Sequence, residues 1–154
     1  MRAARVGPEP ARAQLSSVHR PGVAPQVLEC DEDTYVDTLR SLAQEAAGDE
    51  GLCAFVCSTR DAAHWLSRQL GDAVRLLGEK DALPAKGVVA LDLALAKGLE
   101  FDHVIVADAQ EAAYPASDLS RRRLYTAISR ATHKVTICSR SPVATLLADA
   151  LATL

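Results

Sequence analysis

Ala96-Lys97-Gly98-Leu99-Glu100-Phe101-Asp102 runs almost directly into Val104-Ile105-Val106, and Val88-Val89-Ala90-Leu91 lies just before it. The reading is strand, turn, strand. Four consecutive apolar residues suit a strand buried on both faces. Gly98 lets the backbone turn sharply or come close to a ligand. Glu100 then falls at a strand edge, where a carboxylate can accept hydrogen bonds from hydroxyls such as those of a ribose; taken alone, it equally suits a polar loop with a solvated glutamate. Further on, Arg123-Leu124-Tyr125-Thr126-Ala127-Ile128-Ser129-Arg130-Ala131-Thr132 reads as a helix capped by Ser117 or Ser120 and running to about Thr132. Leu124, Ile128 and Ala131 fall at i, i+4 and i+7, a buried stripe. Arg130 lies off that stripe near the helix end, where a cation also suits the helix dipole.

Upstream the pattern alternates in the same way. Gln26–Cys30 can form a short strand. Asp33 can cap a helix with Val36, Leu39, Leu42, Ala43 and Ala46 as its apolar face. Gly51–Cys57 reads as a buried strand, and Asp61 as the cap of a helix burying Ala62, Trp65, Leu66 and Leu70. Val74–Leu77 is another short strand and residues 78–86 a loop. His103–Ala107 and Lys134–Ser139 are strands, and Asp108–Glu111 a loop between them. Ser141 caps a last helix, with Pro142 in its first turn and Val143, Leu146, Leu147 and Leu151 inside. Pro8, Pro10, Pro21 and Pro25 make residues 1–25 an irregular lead-in to one domain over residues 26–154. Strands alternating with helices predict an α/β fold, its mostly parallel sheet covered by helices on both faces.

The 154 residues are 49% apolar and 24% charged, enough for one domain with a sizeable core. A net charge of −3 does not point to a polyanionic partner, but the charge is unevenly spread. Residues 29–81 hold twelve acids and five bases, whereas residues 119–141 hold six Lys/Arg and no acid. The second stretch can meet phosphates or form the wet face of a helix. Cys30, Cys53, Cys57 and Cys138 form no Cys-x-x-Cys pair, and His19, His64, His103 and His133 are scattered, so no bound metal is expected. Cys53 and Cys57 read as small core residues. No stretch approaches the about 18 apolar residues of a membrane span, so no membrane partner is expected. Arg2, Arg5, Arg12 and Arg20 give the first residues some likeness to a transit peptide, but a Pro-containing leader suits them better, and a cytoplasmic location is expected.

Asp31-Glu32-Asp33 follows an apolar run and imitates a Mg²⁺-binding carboxylate pair, yet helix capping explains it better. The sequence has no Gly-x-x-x-x-Gly-Lys-Ser/Thr loop, and Lys86-Gly87 and Lys97-Gly98 are in the wrong order for one. Without consecutive backbone N–H groups and a lysine to cradle phosphates, the chain is not expected to hydrolyse a nucleotide alone.

Taken together, the two motifs resemble superfamily 1 helicases of the UvrD/Rep type. Residues 96–106 are similar to motif Va of that family and Leu124–Thr132 to its motif VI. Between them, Glu111-Ala-Ala-Tyr-Pro115 is similar to a Glu-Gly-x-x-Pro segment. The likeness is strong over Val88–Ser139. Arg20-Pro21-Gly22 and Leu95-Ala96-Lys97-Gly98 lean toward the DNA helicase IV/HelD-like branch. The resemblance implies the second RecA-like domain, usually called 2A, of a motor in which two such domains clamp ATP. The first would bring the P-loop and the carboxylates that hold Mg²⁺. The second would bring an arginine finger and a ribose contact.

Carried over to this chain, Arg130 is the finger to the γ-phosphate and Glu100 the ribose contact, while Gly98 keeps the loop near the nucleotide. Lys97, Arg123 and Thr126 are the implied nucleic-acid contacts. By position Gly51–Ser58 resembles motif IV, whose adenine-stacking tyrosine and phosphate-contacting arginine are replaced here by Cys57 and Ser58. Arg60 either substitutes as a phosphate contact or is an exposed residue near a helix start. Asp92 and Ala94 stand where many relatives carry a threonine and a histidine that touch single-stranded DNA, and an aspartate there would repel phosphate. The Asp108–Glu111 loop is expected to face the nucleotide cleft. The implied function is the C-terminal half of an ATP-dependent DNA helicase or translocase. Its implied partners are a P-loop-bearing first half, in the same polypeptide or in trans, single-stranded DNA and, as in HelD-like relatives, RNA polymerase. The alternative is a non-catalytic module binding nucleic acid or RNA polymerase. A stand-alone small-molecule enzyme stands last, since the chain has neither a Gly-x-Gly-x-x-Gly loop nor a recognisable nucleophile–base pair.

Overall fold

The computed structural model describes residues 25–140 and 144–146. The centre of the sheet is β2 (Leu52–Cys57), all six residues of which are buried. It pairs in parallel with β4 (Gly87–Asp92) on one side and β5 (Phe101–Val106) on the other, Phe55 lying beside Ala90 and Ile105. Adding β1 (Gln26–Cys30), β3 (Arg75–Leu76) and β6 (Ala131–Arg140) gives a sheet in the order β1-β6-β5-β2-β4-β3, parallel at every pairing. The chain is thus an α/β domain with the expected parallel sheet.

Period-two alternation sends the strand residues into two cores. Leu52, Ala54 and Val56 join Val104 and Val106 under α3 (Leu93–Ala96) and α4 (Asp118–Ile128). Cys53, Phe55 and Cys57 join Ile105 and Ala107 under α1 (Tyr35–Ala47) and α2 (Arg60–Leu70). A strand buried on both faces explains why the sequence reads as an unbroken apolar run there. The first residue of β2 is clamped to β5, where the Asp102 carboxylate accepts from Leu52 N at 2.7 Å. Gly51 makes room for it: its φ is +92°, and a Cβ at that position would stand 2.4 Å from Asp102 Oδ2.

Several helix ends differ from the sequence reading, each for a local reason. Asp31, not Asp33, stops the chain before α1, its carboxylate accepting from Thr34 N at 2.9 Å and Thr34 Oγ1 at 3.0 Å. Tyr35 is thereby the first buried residue of α1, and Val36 is only half-buried. Thr59, not Asp61, caps α2 by accepting from Ala62 N at 3.1 Å, and Ala63 rather than Ala62 is fully buried. Ser117 caps α4, accepting from Ser120 N at 3.0 Å. That helix ends at Ile128, short of Thr132, because the Arg130 carbonyl accepts from Phe101 N at 2.9 Å and Ala131 already belongs to β6. Sheet pairing outcompetes one more helical turn there. Residues 1–24 of the expected lead-in, and Ser141, Pro142, Val143, Leu147 and Leu151 of the expected last helix, lie outside the described residues.

Because every strand runs the same way, the sheet has one edge of strand starts and one of strand ends. A six-residue strand separates them by roughly 20 Å. This polarity sorts the candidate residues.

Candidate functional site

At the edge of strand starts, the segment between α3 and β5 holds Lys97, Gly98, Leu99 and Glu100. Gly98 takes φ +82° with open space around it, so the loop uses glycine for its backbone conformation. Lys97 and Glu100 are exposed. Arg130 sits on the two-residue turn from α4 into β6 and folds back against this loop. Its Nε donates to Thr126 O at 3.2 Å, Nη1 to Leu99 O at 3.4 Å and Nη2 to Ser129 Oγ at 3.2 Å. All three acceptors are neutral, and among the described residues no carboxylate pairs with Arg130. A half-buried guanidinium steered by backbone carbonyls but left uncompensated is a ready anion site. Arg130, Gly98 and Glu100 are therefore brought to one edge.

Arg60 is at the other edge. Its Nη1 donates to Leu77 O at 2.8 Å and pairs with Asp92 Oδ1 at 3.2 Å, tying the start of α2 to the ends of β3 and β4. A strand length separates it from Arg130, and its charge is already met. The grouping of Arg60 with Gly98, Glu100 and Arg130 around one nucleotide does not hold in this fold, since the two sets sit at opposite strand termini.

The Asp108 loop also leaves the edge of strand ends, not the edge carrying Arg130. Asp108 is buried and accepts from the Ser58 backbone N–H at 3.1 Å and from the Ser58 hydroxyl. Burial raises its carboxyl from 3.8 to about 6, against the opposing hydrogen bonds from Ser58 and the nearby Arg123. Arg123 donates to Ser58 O and lies 5.3 Å from the centre of the Tyr114 ring. The Tyr114 hydroxyl is buried and has no partner among the described residues. Arg123 is thus drawn into a structural network. Thr126 donates back along its own helix to Arg122 O at 2.9 Å. Lys97, Arg123 and Thr126 do not converge on one surface: Lys97 lies in the loop leading to β5, and Arg123 reaches the opposite edge. Glu111, half-buried, accepts from Thr145 N at 2.7 Å and holds the following segment to the start of this loop.

A cavity at the edge of strand starts, under the end of α1, is lined by Asp49, Glu50, Asp102, His103, His133 and Lys134 among others. Burial, aided by Lys134, lowers His103 to about 4, so it is neutral, and its Nε2 meets Thr136 Oγ1 at 2.8 Å. Among the described residues no group of three or more His, Cys, Asp or Glu could hold a metal ion, and the four cysteines are free and buried. No helix among those residues is long and apolar enough to cross a membrane.

The chain is similar to known proteins in part of its sequence and in its fold. Residues 87–138, which run from β4 through Arg130 into β6, match the family UvrD-like helicase C-terminal domain. No curated protein matches the chain by sequence. Among solved structures, the C-terminal domain of a possible DNA helicase from Lactobacillus plantarum WCFS1 is similar, with 26% identity and a TM-score of 0.75, over 95% of this chain and 93% of that one. The C-terminal domain of the DEAD-box protein Dbp5 shares the fold at 16% identity and a TM-score of 0.57, over 84% of this chain and 81% of that one. The PRRSV nsp10 helicase shares it at 13% identity and a TM-score of 0.52, over 89% of this chain but 31% of that one. The fold is that of a helicase C-terminal RecA-like domain, and its β4–β6 segment carries the signature of the UvrD-like helicase C-terminal family.

Proposed function

We propose that this domain completes an ATP site whose phosphate-binding loop lies on another domain. Arg130 reaches the γ-phosphate as an arginine finger, Glu100 accepts from the ribose hydroxyls, and Gly98 lets the loop approach. ATP and its Mg²⁺ are held mainly by the P-loop-bearing partner, in the same polypeptide or in trans. The single observation that carries the reading is Arg130: it lies beside the Lys97–Glu100 loop, and its charge is unmatched among the described residues. A guanidinium held ready for developing phosphoryl charge contributes about 10³–10⁵ in rate. The motor acts on single-stranded DNA, and Leu95-Ala96-Lys97-Gly98 supports a kinship with the helicase IV/HelD-like branch.

Asp92 favours a second reading. It neutralises Arg60 at the edge where relatives are expected to touch nucleic acid, which, within the non-catalytic alternative, fits docking to RNA polymerase better than to nucleic acid.

The test is ATP hydrolysis with single-stranded DNA, measured on the chain alone, on a P-loop-bearing first half alone, and on both together. The expected result is silence from the chain alone and DNA-stimulated turnover in the mixture that Arg130→Ala abolishes and Arg130→Lys does not restore. Turnover by the purified chain alone, indifferent to Arg130→Ala, would overturn the proposal.

A further inference from the structure

The orientation of Arg130 depends on the residue before it. Helix α4 stops at Ile128, and the last carbonyls of a helix lack intrahelical partners. A continued helix would bring the Arg130 N–H to the Thr126 carbonyl. The turn into β6 sends it to Ala127 O instead, at 3.3 Å. Thr126 O is left near the negative end of the helix dipole. Two side chains take it up: Ser129 Oγ donates to it at 3.1 Å and Arg130 Nε at 3.2 Å.

The Ser129 hydroxyl has a single hydrogen. Donated to Thr126 O, it leaves only lone pairs for Arg130, so Ser129 Oγ meets Nη2 as an acceptor, at 3.2 Å. Leu99 O takes an N–H of Nη1 at 3.4 Å. These bonds lie at the long end of the usual range, and none alone would fix a flexible side chain. Together they engage all three guanidinium nitrogens, one bond each, which orients a planar group. One N–H on each terminal nitrogen stays uncommitted among the described residues. Such a pair can take two oxygens of a phosphate in bidentate fashion. Of the three acceptors, two are backbone carbonyls, and Ser129 Oγ is the one a substitution can remove. We propose that Ser129 is the positioning residue of the arginine finger. It sets which edge of the Arg130 fork faces the transferring phosphoryl group, and it touches neither ATP nor the reacting atoms. This role rests on the ATP-site reading above. Ser129 is half-buried with φ −72° and ψ −6°, a backbone conformation open to alanine and threonine alike. Ser129→Ala and Ser129→Thr therefore test the hydroxyl without straining the chain.

Two measurements separate this role from that of a helix cap serving stability alone. On the full chain by itself, heteronuclear NMR reads the mobility of the Arg130 Nε–H, assigned by its loss in Arg130→Lys. The side chain should be restrained in wild type and Ser129→Thr and mobile in Ser129→Ala. Equal restraint in wild type and Ser129→Ala would overturn the proposal. The second measurement is ATP turnover with a P-loop-bearing first half and single-stranded DNA. Ser129→Ala should lower kcat about 10-fold at unchanged KM for ATP, and Ser129→Thr should keep most of the wild-type rate. In an Arg130→Ala background, Ser129→Ala should change the residual rate by less than about twofold, since no finger is left to position. A lower thermal midpoint with a rate effect that persists without Arg130 is the pattern of a cap alone and would overturn the proposal. Turnover abolished by Arg130→Ala but unchanged in Ser129→Ala would overturn this role and leave the ATP reading standing. Turnover indifferent to Arg130→Ala, or none from the wild-type mixture, would overturn both.

Discussion

Two arginine-bearing edges of one sheet differ in whether their charge is already matched. At the edge of strand ends, Arg60 faces Asp92, while Arg123 is held by Ser58 O and Tyr114 beside the buried Asp108. At the edge of strand starts, Arg130 has only neutral acceptors among the described residues. The same side chain is a strut in one place and an available charge in the other. A guanidinium already matched to a carboxylate gains less from a phosphate, because a new anion must displace an existing partner.

That contrast can be broken or sharpened by experiment. The largest stability effect expected is that of Asp108. Its folded carboxyl titrates at about 6 against an ordinary 3.8, so the folded state holds the proton to higher pH than the unfolded chain. The group therefore favours folding most below about pH 4, and this advantage is lost as pH rises through about 6. Relative to Asp108→Asn, which cannot ionise, wild type should lose up to roughly 3 kcal/mol between pH 4 and 7 in urea titrations. Parallel curves would mean that Asp108 titrates normally. Arg123→Ala should cost about 2 kcal/mol by removing both its bond to Ser58 O and its contact with Tyr114, seen as a lower urea midpoint. Arg60→Ala should cost about 1 kcal/mol, since its side chain is 40% exposed but leaves the 14% exposed Asp92 without a cation. The smallest effect belongs to Tyr114→Phe. Deleting a buried hydroxyl that lacks a partner should change stability by less than about 1 kcal/mol, in the stabilising direction, by thermal melting.

Much of this was legible in the sequence. Strands such as Leu52–Cys57 are continuous apolar runs, and the α4 stripe of Leu124 and Ile128 has helical spacing, so both elements can be read from local pattern. The Lys97–Glu100 loop and Arg130 are legible as motifs, and the fold brings them together although the contacting Leu99 and Arg130 are 31 residues apart. What local pattern could not supply was polarity across the sheet. Arg60 and Arg130 look alike in sequence; only strand direction puts them at opposite edges, and only the distant Asp92 neutralises one of them. Trp65 read as a core residue because it sits at helical spacing with Leu66 and Leu70. It is half-buried and stacks on Tyr35 with Arg140 over both rings, partners that come from other elements, and no periodicity announces a cluster of that kind. Asp108 reads as a loop carboxylate, whereas the fold makes it a buried acid held by Ser58.

The most direct test of the contrast is to put Arg130→Ala and Arg123→Ala side by side in the proposed assembly with a P-loop-bearing first half, measuring ATP turnover and the thermal midpoint of each. Arg130→Ala should lower turnover by about 10³ or more and, since its three bonds are long and to neutral acceptors, lower the midpoint by less than Arg123→Ala does. Arg123→Ala should lower the midpoint by several degrees while the folded enzyme keeps turnover within about threefold. An Arg130→Ala enzyme that still turns over, or that loses as much stability as Arg123→Ala, would contradict the account.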